Sequence, residues 1–187
     1  MVEKLKVLST PIPDLIVVET SPIRDKRGTF SRFYCETALD SFIGDRSIVQ
    51  INQSQTAKVG AVRGMHFQQP PYCEMKLVRC IKGKVWDVAI DLRAGSETFL
   101  HWHAVELSPS NSYMVVIPEG FAHGFQVLEP ESELLYLHTA DYNSNAENGI
   151  NYSDPCLKID WPLSITDLSL KDRNHTFIKK EYLGIRL

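Results

Sequence analysis

Long hydrophobic runs are absent from this chain. Its longest apolar stretches, such as Leu15–Val18 and Met114–Ile117, fall far short of the ~20 residues a membrane helix needs. Positive charge is not in excess either: 20 basic against 23 acidic side chains leave a formal net charge of −3. That balance excludes general nucleic-acid binding by counterion release, though not a local basic pocket for one small anion. Cysteine is scarce, and Cys35, Cys73, Cys80 and Cys156 form no CxxC pair. A chain of 187 residues buries roughly 70% of its unfolded surface and needs no disulfide framework. The segment Met1–Lys6 lacks the apolar core of a secretory leader. The expectation is a cytoplasmic protein with reduced thiols and no membrane partner. Repeats, low-complexity segments and linkers are also missing, so residues 1–187 are expected to form one domain.

What is present is strand signal. Val85–Leu92 alternates, with Trp86, Val88, Ile90 and Leu92 on one face and Val85, Asp87, Ala89 and Asp91 on the other. Further β-rich segments run over Leu15–Glu19, Lys76–Ile81, Phe99–Leu107, Tyr113–Ile117, Gly124–Val127 and Glu133–Thr139. Turn chemistry separates them, as in Lys82-Gly83-Lys84, Ser108-Pro109-Ser110-Asn111 and Pro118-Glu119-Gly120. Many strands at close spacing predict an all-β, closed or double-sheet architecture. Only Leu168–Tyr182 reads as helix-compatible. The carboxylates of Asp87 and Asp91 either face solvent or look inward onto a ligand, and periodicity alone leaves both open.

Two segments carry unusual chemistry for a structural β protein. Gln50-Ile51-Asn52-Gln53-Ser54 precedes Val62-Arg63-Gly64-Met65-His66-Phe67-Gln68, and Ile117-Pro118-Glu119-Gly120-Phe121-Ala122-His123-Gly124-Phe125 follows later. Each sets a histidine beside glycine, where backbone can approach a ligand closely. A lone histidine of this kind is more often a hydrogen-bonded structural imidazole.

Taken in order, Asp25-Lys26-Arg27-Gly28-Thr29-Phe30, Arg63–Gln68, Lys76–Arg79, Asp87–Arg93, Gly95-Ser96, Ile117–Phe125, Asp154-Pro155 and Ile159–Pro162 resemble the dTDP-4-dehydrorhamnose 3,5-epimerase family. The matches span most of the chain. The resemblance implies a cupin-type double-sheet jelly roll with a short helical C-terminal segment. It also implies a homodimer working without metal or cofactor, in the supply of activated deoxysugars for polysaccharides or glycosylated metabolites. The implied substrate is a nucleotide-linked 4-keto-6-deoxy sugar, inverted at carbons 3 and 5. Both carbons flank the ketone, so deprotonation gives an enolate. Inversion then needs a base on one face, an acid on the other and a donor at the developing oxyanion.

By resemblance His66 is the base, Asp172 the carboxylate orienting it, Tyr136 the proton donor, and Lys76 the cation at the keto oxygen. Arg27 and Arg63 match diphosphate contacts. Gln50 and Asn52 match nucleotide contacts, His123 a substrate contact, Tyr142 an aromatic on the base, and Glu147 a further binding residue. From strand alternation, Asp87 is expected to pair with Lys76 or His66.

The chain departs from the family pattern in places. Arg32 stands where a glutamate is usual, which bears on base or sugar preference. Cys73-Glu74-Met75 replaces a glutamine and a small residue before Lys76, and Asn143-Ser144-Asn145 follows Tyr142. Two rival readings stand beside the epimerase. His101-Trp102-His103 is an HxH pair whose period-two spacing would put both rings on one strand face, as in metal-dependent cupins. Glu106, however, alternates onto the opposite face from His103. The other rival is a single-centre epimerase or a non-catalytic sugar-nucleotide binder.

Overall fold

The computed structural model describes residues 5–187; Met1–Lys4, part of the segment read for a leader, lie outside the described residues. In chain order the elements are β1 (Leu5–Ser9), β2 (Ile16–Thr20), β3 (Ile23–Asp25), β4 (Gly28–Phe30), α1 (Glu36–Ile43), β5 (Gln50–Thr56), β6 (Val62–Gln68) and β7 (Lys76–Lys82). There follow β8 (Val85–Asp91), β9 (Trp102–Leu107), β10 (Tyr113–Ile117), β11 (Phe121–Val127), β12 (Ser132–His138), β13 (Glu147–Gly149) and α2 (Leu170–Arg173). Two antiparallel sheets dominate, ordered β1-β2-β10-β7-β12-β5 and β13-β6-β11-β8-β9, while β3 and β4 form a separate hairpin. This is the expected all-β double-sheet jelly roll.

The strands read from alternation are present. Between the sheets, Val78, Cys80, Val115 and Leu134 meet Val85, Ala89, Phe121 and Phe125 in one apolar cluster. Each Val, Leu or Phe among them contributes about 1.5–3 kcal/mol on burial. A second cluster covers the outside of the larger sheet, where α1 lays Leu39 and Ile43 against Leu77, Met114 and Val116. A third covers the outside of the smaller sheet, where Val88, Ile90 and Leu92 pack with Ile150, Leu157, Trp161 and Ile185. Both faces of β8 are therefore buried. Its carboxylate face looks inward, which settles the question left by its alternation.

Helix content differs from expectation at both ends. α1 is eight residues long with one buried pair four residues apart, too little for a periodic signal to stand out. The helix-compatible stretch Leu168–Tyr182 forms a helix only over Leu170–Arg173. Beyond it the chain is tied down by side chains: Asn151 Nδ2 donates to the carbonyls of Arg173 and His175, and Asp154 accepts from the Ile178 N–H. Those bonds replace the intrahelical ones a longer helix would need.

Candidate active site

One end of the space between the sheets is not filled by side chains. It is a cavity of about 560 Å³, lined from the smaller sheet by β6 and β11 and from the larger by β5, β7 and β12. On β6, His66 lies directly opposite His123 of β11, and Gly149 of β13 flanks it on the other side. Backbone contact is close here. A Cβ on Gly64 would come within 2.5 Å of the Gly124 Cα, and Gly64 has φ +132°, so glycine is needed.

Behind His66 stands Asp172. Its Oδ1 lies 2.6 Å from His66 Nε2, and its Oδ2 accepts from the Gly64 N–H at 3.4 Å. Asp172 is positioned by α2, whose N-cap Ser169 accepts through Oγ from the Asp172 N–H. Burial would raise the Asp172 pKa. The hydrogen bond and charge of His66 more than offset that and hold the carboxyl below its ordinary value. His66 itself is one-third exposed, on the cavity side.

The facing wall carries Tyr136 and Lys76. Tyr136 Oη is 2.9 Å from Ser54 Oγ. Burial, seconded by the negative charge of Asp87 and opposed by the Ser54 bond, pushes the phenol far above its ordinary pKa. Tyr136 is therefore a neutral O–H at physiological pH. His138 follows two residues later on the same strand face, opposite Lys76 of β7 on one side and Gln50 of β5 on the other. Lys76 Nζ reaches Glu74 Oε1 at 3.1 Å.

At the mouth, Arg63 donates through Nε to Thr56 Oγ1 and through Nη2 to the Gln55 carbonyl. Gln50 Oε1 accepts from the Tyr142 N–H, and the Tyr142 hydroxyl donates to Glu147 Oε2. Lys171 pairs with Glu147 at 2.6 Å. Burial would raise the Glu147 pKa, but the bonds from Lys171 and Tyr142 hold it below its ordinary value.

His66, Tyr136, Lys76, Gln50, Asn52, Arg63, His123, Tyr142 and Glu147 thus line one cavity. Asp172 backs His66. Arg27 does not join them. It sits 84% exposed on the β3–β4 hairpin, paired with Asp25, because a three-residue hairpin outside both sheets cannot reach the cavity. Arg32 is likewise exposed, its guanidinium beside Cys35 Sγ.

Asp87 pairs with neither Lys76 nor His66. Its Oδ2 lies 2.8 Å from His123 Nε2, because Phe125 rather than a β7 residue is its cross-strand neighbour and His123 is the imidazole within reach on β11. The HxH pair fails as a strand pair. β9 begins at Trp102, since Leu100 takes a positive φ and the His101 N–H closes a turn on the Thr98 carbonyl. Among the described residues, the group spaced to hold an ion is His66, Asp172 and His175, not His101 and His103.

Glu74, His138, Ser54 and His175 belong to the site without having been assigned a role from sequence; Glu74 and Ser54 stand in segments the sequence marks as unusual, and His138 is a second polar residue two places after Tyr136. His175 approaches Asp172 Oδ1 at 3.7 Å and meets the His66 ring edge-on.

Known proteins resemble this chain in sequence and fold. The sequence profile described as dTDP-4-dehydrorhamnose 3,5-epimerase matches residues 9–180. The chain is 41% identical over 180 residues to dTDP-4-dehydrorhamnose 3,5-epimerase of Shigella flexneri, covering 95% of this chain and 99% of the relative. With the enzyme of the same name from Pseudomonas aeruginosa the figures are 43% over 171 residues, 90% and 93%. Among solved structures, dTDP-6-deoxy-D-glucose-3,5-epimerase from Legionella pneumophila in complex with dTDP-4-keto-L-rhamnose superposes with a TM-score of 0.90 at 36% identity, covering 97% of this chain and 98% of that one. On sequence and fold alike, the chain belongs to the dTDP-4-dehydrorhamnose 3,5-epimerase family of isomerases.

Proposed function

We propose that the protein epimerises dTDP-4-dehydro-6-deoxy-D-glucose, or a close nucleotide-linked analogue, at carbons 3 and 5. The observation that carries this reading is the placing of an imidazole–carboxylate pair and a neutral tyrosine on facing sheets of one cavity, with a lysine ammonium on the strand next to the tyrosine. His66 takes the proton from the carbon next to the ketone, and the imidazolium that results is stabilised by ionised Asp172. The electron pair moves onto the carbonyl oxygen, where Lys76 meets the developing negative charge. Tyr136 returns a proton from the opposite face, so the carbon is inverted and the atoms balance. Solvent restores both groups, and the second carbon follows by the same steps.

Arg63 takes the diphosphate, Gln50, Asn52, Tyr142 and Glu147 hold the nucleotide at the mouth, and His123, fixed by Asp87 beside His66, meets the sugar deeper in the cavity. Arg27 acts in a homodimer. The β3–β4 hairpin presents exposed Ile23 and Phe30 beside Arg27, a surface suited to docking on a second copy and bringing its guanidinium to that copy's cavity. The acid–base set needs no metal or cofactor, and a single domain working in the cytoplasm accords with the composition.

Proton NMR of dTDP-4-keto-6-deoxyglucose in deuterated buffer, with chelator-treated protein, tests the reading. Loss of the signals at carbons 3 and 5 is expected. Loss at one carbon alone would mark a single-centre enzyme, and no exchange by folded protein would overturn the reading.

A further inference from the structure

Beside His66–Asp172 and His123–Asp87, a third imidazole–carboxylate pair lies in the larger-sheet wall of the same cavity. His138 Nδ1 and Glu74 Oε2 are 2.6 Å apart, both side chains are about nine-tenths buried, and the other oxygen of Glu74 takes Lys76. One tautomer satisfies the whole row: Asn52 Nδ2 donates to His138 Nε2 at 3.3 Å, and His138 donates from Nδ1 to Glu74. Glu74 is therefore divided, one oxygen to an imidazole and one to an ammonium. Burial would raise its pKa, but the His138 and Lys76 contacts outweigh that and keep it ionised.

A buried carboxylate 3.1 Å from Lys76 is a liability for the chemistry assigned to that lysine. An ammonium fully engaged by a fixed anion has little field left for an oxyanion forming elsewhere. We propose that His138 is a positioning residue which, by occupying half of Glu74, limits its hold on Lys76 and leaves the ammonium aimed at the substrate's keto oxygen. The inference rests on the epimerase reading above and names what governs Lys76 in this chain. It also gives a reason for Glu74 to stand here: the charge at 74 is tolerable because an imidazole sits at 138 to share it.

The test is a double-mutant cycle on kcat and KM with dTDP-4-keto-6-deoxyglucose. His138→Ala removes the donor and frees Glu74 to take Lys76 with both oxygens. It is expected to lower kcat about tenfold, a fraction of the effect of deleting an oxyanion donor outright, with KM changed much less. His138→Asn keeps an N–H near the place of Nδ1 and should recover much of that loss. Glu74→Gln in the His138→Ala background removes the competing charge and should raise kcat again, so that the double variant outperforms the single one. Thermal unfolding of each variant separates folding defects from chemistry, since a purely structural role would not be rescued by removing a second buried partner. Additive losses in the double variant, or parental kcat in His138→Ala, would overturn the proposal. An inactive parent chain would instead overturn the epimerase reading and this inference with it.

Discussion

His66–Asp172 and His123–Asp87 are the same chemical pair in two settings. In the first, an imidazole one-third exposed to the cavity leans on a carboxylate held by a separate C-terminal turn. In the second, both side chains are more than nine-tenths buried between β8 and β11. A group that must exchange protons with substrate and solvent needs access, whereas a group that meets the substrate from a fixed wall without exchanging protons is better sealed. The difference suits the first pair to proton transfer and the second to holding a wall in place. It also explains why His123, though it lies opposite His66 on the neighbouring strand, is a poor second base.

Substitutions can break that comparison. The largest effect is expected for His66→Ala, which should abolish solvent exchange at the sugar carbons while nucleotide affinity, measured by calorimetry, stays within about threefold; retained exchange would move the base elsewhere. Next, Asp172→Asn should lower kcat by about 10²-fold, within the range for general acid–base groups, with a melting temperature lowered by less than in Asp87→Asn. Asp87→Asn should show the reverse, a melting temperature lowered by several degrees with a smaller loss of kcat, as expected when a buried charge pair is broken. If both variants lost kcat and stability in the same proportion, the distinction between the two pairs would collapse.

The smallest effect concerns pH. Asp172 has its pKa depressed in the folded chain, so its pair with His66 contributes stability that is present above the unfolded carboxyl value of about 3.9 and lost as pH falls through the lower folded value. The stability difference between the parent and Asp172→Asn, followed by denaturant titration, should be steady near neutrality and shrink below about pH 4. A difference that instead grew on acidification would contradict the assigned direction.

How much of this was legible in the sequence varies with the kind of signal. Strands with apolar alternation, such as β8 and β10, were readable because burial on a fixed face imposes a period of two. β5, with its run Gln50-Ile51-Asn52-Gln53-Ser54-Gln55-Thr56, was not read as a strand. It is an edge strand whose inward side chains face an open cavity, so polar residues stand where a core would demand apolar ones. The eleven catalytic and binding candidates came from the family resemblance, and nine of them line the cavity. Arg27 does not, because what brings a hairpin arginine to a cavity is not local chain geometry. The Asp87 partner and the Glu74–His138 pair were invisible for a related reason. They depend on which strands become neighbours across the sheet, and cross-strand register over 36 and 64 residues leaves no local pattern.

The central claim is a division of labour between facing walls, His66 removing the proton and Tyr136 replacing it. Tyr136→Phe tests it most directly, with deuterium incorporation and epimerised product measured in the same NMR time course. The account predicts that product falls much further than exchange, because His66 still deprotonates the carbon and solvent deuteron can return from the side of the base. Equal loss of exchange and product in that variant would contradict the account, placing Tyr136 in substrate binding or deprotonation rather than in reprotonation.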